Sequence, residues 1–215
     1  MNINEAYLFL NFISNKNQSG EVSPSEFNRM ATQAQWEYFS KEYEKWQLTQ
    51  SITDALSVFI KSLATAVSTT GRLPYPSDYE HVISTRHYYV KNDNTGIEVP
   101  ITEVDNNEYG DYLQSEIVNP TLRFPIWTAY SDYMQFKPNN VGLIAFDYFK
   151  KPLNPVWRFT IINNRPVYDP TTSVDWELPP QCHNKLVFMM CSYLGINLKE
   201  ADLVQYSEMQ KQELE

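Results

Sequence analysis

Residues 23–48 read "SPSEFNRMATQAQWEYFSKEYEKWQL", and how this stretch is covered decides the fold. Ser23 stands where a helix N-cap belongs. Pro24 follows at the first helical position, where its missing N–H costs nothing, and Glu26 stands where it reaches back to the cap. The spacing predicts one helix from about 24 to 48. Phe27, Met30, Ala31, Ala34 and Tyr38 form one apolar stripe. Trp36, Phe39, Tyr43 and Trp46 form another, roughly opposite at about 100° per residue. A helix with two apolar faces needs cover on both. Either both faces are internal to a larger core, or the second meets another subunit. Trp36, Phe39, Tyr43 and Trp46 are therefore the candidate subunit interface.

Upstream, residues 3–14 carry Ile3, Ala6, Tyr7, Leu10 and Ile13 at helical spacing, with Leu8, Phe9 and Phe12 on the other side. This helix is expected to be buried on most sides, so residues 1–50 read as a helical hairpin. Its corner, "NKNQSGEVSPSE" (15–26), matches the EF-hand spacing: Asn15, Asn17, Ser19, Gly20, Val22 and Glu26 fall on ligand and turn positions. Calcium affinity depends on carboxylates, and only Glu26 is an anion at a side-chain ligand position. The capping box already uses it, so a mechanical corner is expected instead.

Residues 51–177 change character towards Pro, Thr, Val, Ile and Tyr. "GRLPYPSDYEHVIS" reads as a strand end, a turn and one short helix. "RHYYV" and "GIEVPITEV" read as strands around "KNDNTG", and "DNNEYGDYLQSE" as a short helix capped by Asp105 or Asn106. "PIWTAYSDYMQFKP", "VGLIAFDYFKKP" and "PVWRFTIINNRPVYD" give at least four short strands, half-buried where apolar and polar residues alternate. Residues 178–215 turn helical again. "ELPPQCHNKLVFMMCSYLG" has proline at its start, an apolar body and Gly195 as a stop, and a last helix follows from Asn197 and Glu200. The expected class is α+β: N- and C-terminal helices packed as one layer or bundle, with a central, mostly antiparallel β-rich part.

The chain has 215 residues, net charge −9 and 14% aromatic residues. It lacks the basic footprint of a nucleic-acid binder. Its start, "MNINEAYLFLNFISNK", has neither a basic leader region nor a small-residue cleavage site, so no signal peptide is expected. No run approaches the ~18 apolar residues of a membrane span. Cys182 and Cys191, nine apart, would lie on opposite sides of one helix and read as core thiols. His81, His87 and His183 form no metal-ligand pair, and no nucleophile elbow, Walker or dinucleotide motif occurs. Asp175 and Glu177 stand two apart, and with Asp105, Glu108 and Asp111 they place carboxylates among aromatics. That composition also serves glycan hydrolysis, but the reaction needs a carboxylate separation that sequence spacing does not supply. Carboxylates beside helix starts more commonly balance the helix dipole. No catalytic, cofactor-binding or metal residues are assigned. The rivals to a structural subunit are a glycan hydrolase using Asp175 and Glu177, and an aromatic-rich binding module.

The order of "NKNQSGEVSPSEFNRMATQAQWEYF", "LPYPSDYEHVIS", "VDNNEYGDYLQS", "FDYFKKPLNPVW" and "SVDWELPPQCHNKLVFMMCSYLGINLKEADLVQYSEM" resembles the ring or head–tail connector proteins of crAss-like bacteriophages. More loosely, it is similar to tail tubular protein A of short-tailed phages. The resemblance spans nearly the whole chain and carries no catalytic fingerprint. It implies a virion neck protein, made in the host cytoplasm and assembled as a twelve-fold ring beside the portal protein and other tail or ring proteins. DNA would pass through the ring without sequence-specific binding, and no cofactor is implied. An acidic lumen would let DNA slide rather than hold it.

Overall fold

The computed structural model describes residues 1–16, 20–49, 53–90, 96–163 and 165–195. The chain divides into two compact units: Met1–Val58 with the chain from Pro152 onward, and Phe59–Lys151. The fold is α+β, as the sequence implies, but the β-rich middle is shorter than 51–177. The chain from Pro152 clusters with the helices because Trp157, Trp176 and Leu178 are buried there.

The first unit holds α1 (Ile3–Lys16), α2 (Pro24–Thr49), a single turn α3 (Asp54–Ser57) and α5 (Pro180–Tyr193). The capping box forms at α2: the Ser23 amide donates to Glu26 Oε2 at 3.0 Å, and the Glu26 amide donates to Ser23 Oγ at 3.3 Å. The corner between α1 and α2 is tied by side chains. Ser14 Oγ donates to the Gly20 carbonyl at 2.6 Å, and the Val22 amide donates to Asn11 Oδ1 at 2.8 Å. Gly20 has φ +86°, which favours glycine. α5 starts at Pro180 and runs out before Gly195, whose φ is +73°. The helix expected from Asn197 lies outside the described residues.

The same unit includes an antiparallel hairpin, β9 (Phe159–Ile162) with β10 (Arg165–Tyr168). Buried Trp157 stacks on Tyr7 at 4.1 Å on one side. It also stacks on Phe159 (5.6 Å) and Tyr168 (6.0 Å), one from each strand at the hairpin's base.

The second unit contains two four-stranded sheets. One has the order β1 (Ile60–Ala66), β8 (Leu143–Lys150), β3 (Tyr79–Val90), β4 (Gly96–Pro100), all antiparallel. The other has the order β2 (Arg72–Pro74), β7 (Tyr133–Lys137), β6 (Ile126–Ala129), β5 (Thr102–Glu103), with only β5–β6 parallel. Leu73, Trp127, Met134, Phe136, Ile144, Phe146 and Tyr148 come from both sheets and form one buried cluster. Alternation puts Met134 and Phe136 of β7 and Ile144, Phe146 and Tyr148 of β8 inside, and breaks at the end of β8, where Phe149 is also buried. Residues 79–84 are strand, not the short helix that the sequence suggests: the turn before Tyr79 feeds β3, whose ladder with β8 overrides local propensity. α4 (Asn106–Gln114) follows Asp105 at its N-cap. Among the described residues, no helix is long and apolar enough to cross a membrane.

Candidate functional site

The first stripe of α2 (Phe27, Ala31, Ala34, Tyr38) is buried in the first unit, and Met30 at its margin is half-buried. The sequence leaves open two ways to cover the second stripe, and most of it is covered within the chain. The extended segment after Pro152 runs along it. Gln35, fully buried, donates to the Leu153 carbonyl at 2.6 Å and accepts from the Glu177 amide at 3.4 Å. Asn28 bonds both ways with the Trp157 backbone, at 2.7 and 3.1 Å. Lower down, Thr53 at the cap of α3 donates to Glu42 Oε2 at 3.1 Å, and Glu42 also holds Lys45 at 2.5 Å. The covered positions form one wide arc rather than two opposed stripes, about 140° at 100° per residue.

Of the four expected interface residues, Phe39 (2% exposed) and Trp46 (8%) are therefore covered within one chain. A neighbour cannot touch them without opening the unit. Trp36 and Tyr43 lie at the margin of the arc and are half-buried. Trp36 Nε1 donates to Asn154 Oδ1 at 3.3 Å, and Tyr43 stacks on Trp46 at 5.5 Å. On α1, Leu8 and Phe12, one turn apart, both face solvent, as does Leu48 near the end of α2.

The candidate acids act on the backbone. Asp175 Oδ1 accepts from the Ile3 amide at 3.0 Å, at the first turn of α1, and from the Trp176 amide at 2.8 Å. Glu177 Oε2 accepts from the Leu153 amide at 2.6 Å. Hydrogen bonds from the Ser23 hydroxyl and amide hold the Glu26 carboxyl below its ordinary value. Asn17 and Ser19 lie outside the described residues. His183 and His87 are buried against carbonyls: His183 Nε2 pairs with Leu178 O at 2.7 Å and His87 Nε2 with Leu122 O at 2.5 Å. His81 is in strand β3, where burial lowers its pKa. Cys182 and Cys191 share α5 as free, buried thiols, and burial pushes Cys191 up to about 12. No group of three metal-ligating side chains occurs among the described residues.

The second unit carries a polar array that the sequence reading missed, because its members come from different strands. On the outer face of the β1–β8–β3–β4 sheet, Asp147 accepts from Ser62 Oγ (2.5 Å), Ser84 Oγ (2.8 Å) and Arg86 Nη2 (2.6 Å). Burial raises the Asp147 carboxyl, but these donors outweigh it and hold it below its ordinary value. Arg86 also reaches Glu98 at 3.4 Å. Beside this array Ala64 and Ala145 floor a cavity of about 300 Å³, flanked by Tyr88, Glu98 and Leu143.

The same unit holds an exposed apolar loop after α4. Ser115 Oγ accepts from the amides of Ile117 and Val118, Thr121 and Phe124 exchange backbone bonds, and His87 holds Leu122. Even so, Ile117 is 95% exposed, and Val118 and Phe124 are largely bare. "SEIVNPTLRF" gave no periodic signal to find it by. Set against protein-family models and against curated proteins, the sequence matches neither a family nor a curated relative.

Proposed function

We propose that the chain is a structural subunit of a phage neck, one of many copies forming a ring between portal and tail through which DNA passes. The observation that carries this reading is the 115–124 loop. It is held by several hydrogen bonds and yet leaves Ile117, Val118 and Phe124 in water. Apolar side chains displayed on an ordered loop fit a protein contact better than a lone soluble domain. The engagement of Asp175 and Glu177 by backbone amides supports a mechanical role for those acids over hydrolysis. The net charge of −9 suits a wall that does not retain DNA.

Image reconstruction of the particle that carries the protein tests the reading. The expected result is a closed ring of this chain beside the portal, twelve-fold by family analogy. Density for the chain away from the neck, or glycan hydrolysis abolished by Asp175→Asn, overturns it.

A further inference from the structure

Both faces of the β9–β10 hairpin are exposed. The register pairs Phe159 with Tyr168, Thr160 with Val167, Ile161 with Pro166 and Ile162 with Arg165. One face thus carries Phe159, Ile161, Pro166 and Tyr168, and the other carries Thr160, Ile162, Arg165 and Val167. Ile161 is 71% exposed, and Ile162, Val167 and Phe159 are also open to water. A two-stranded hairpin is marginal alone in water. Here Trp157 anchors only the base, so the apolar tip lacks a covering surface.

The charge of the hairpin points to its occupant. Residues 158–168 carry Arg158 and Arg165 and no carboxylate, in a chain of net charge −9. A second copy of this chain is therefore an electrostatic complement. On that copy, the outer face of the β1–β8–β3–β4 sheet offers the matching chemistry. Tyr88 and Leu143 are about three-fifths exposed around the alanine-floored cavity. Glu98 and Asp147 outnumber Arg86 beside it.

We infer that the β9–β10 hairpin of one copy seats on the β1–β8–β3–β4 face of the next, with Ile162 entering the Ala64–Ala145 cavity and Arg165, on the same hairpin face, meeting Glu98. This deepens the ring reading and rests on its self-assembly. A patch that meets a different patch is heterologous and repeats by rotation, as a ring requires. The ladder also argues for packing through side chains. The Asp169 amide donates to the Arg158 carbonyl at 2.9 Å, which sets the alternation and turns the Pro166 nitrogen to the outer edge of β10. Proline has no N–H to offer there, so strand addition along β10 is disfavoured.

The test is the mass distribution of the full chain in solution at rising concentration. Ile161→Asp with Ile162→Asp, and separately Leu143→Asp, should each weaken assembly at least about tenfold, with the monomer's circular dichroism and melting unchanged. Arg165→Glu should weaken it roughly fivefold, and adding Glu98→Arg should restore it. Because both native cysteines are buried, an Ile162→Cys/Leu143→Cys chain should form disulfide-linked oligomers through the introduced cysteines. Assembly unaffected by the hairpin or Leu143 variants overturns the seat and leaves self-assembly standing. A wild-type chain that stays monomeric throughout overturns the inference, while the particle image still decides the neck reading.

Discussion

The carboxylate of Asp175 lies 3.0 Å from the amide of Ile3, across 172 residues of sequence. It caps the first turn of α1 from a segment remote in sequence. The geometry combines a charge-assisted hydrogen bond with a favourable charge at the positive end of a helix.

Replacing Asp175 with Ala strands two amides, those of Ile3 and Trp176. A loss of about 1–2 kcal/mol is expected from the chemical denaturation midpoint at constant slope. Asp175→Asn keeps an acceptor and should lose less than half of that. If Asp175→Ala leaves the midpoint in place, the cap has no energetic weight.

Trp46 and Trp36 should behave differently, although they belong to the same sequence stripe. Trp46→Ala empties a covered position stacked on Tyr43 and should destabilise the monomer by about 3–5 kcal/mol. Trp36→Ala, at the half-buried margin, should cost about 1 kcal/mol through its bond to Asn154 and lost packing. Thermal melts of the two variants check this, and equal losses would contradict the covered arc.

Asp147 should give the second unit an acid-sensitive component. Its folded pKa lies below the ordinary carboxylate value. Its contribution is therefore fully present above the unfolded pKa of about 3.9 and is lost as pH falls through the folded value. Asp147→Asn should be less stable than wild type at pH 7, and the gap should narrow below about pH 4. Denaturation at a series of pH values measures that gap. A gap that stays constant down to pH 2 would show that the carboxylate's charge contributes nothing.

The 15–26 corner should be indifferent to calcium. Glu26 serves Ser23 through both oxygen and amide contacts, and Ser23→Ala should cost about 1 kcal/mol. Millimolar calcium should leave the melting temperature of the wild-type chain unchanged. A saturable rise that Glu26→Gln abolishes would reinstate an ion site.

What was legible in the sequence was local. The capping box at Ser23 and Glu26, the Gly195 stop and the alternation of β7 and most of β8 each sit within a few residues, and the structure has all three. Strand β1 was missed because "IKSLATA" does not alternate and lies at a sheet edge with little burial. The sequence leaves open how the second stripe of α2 is covered, because nothing local shows that Gln35 meets Leu153, 118 residues on. The Asp147 array was invisible for the same reason: Ser62, Ser84 and Asp147 become neighbours only through strand register.

The first unit is assembled from both ends of the described chain, with Phe59–Lys151 inserted between its halves. During synthesis the inserted β unit emerges complete and is free to close on itself, while α1 and α2 still await the segment that carries Trp157 and Asp175. The ribosome therefore exposes the amino-terminal helices first and finishes them last, an interval in which chaperones have bare Phe and Trp side chains to bind.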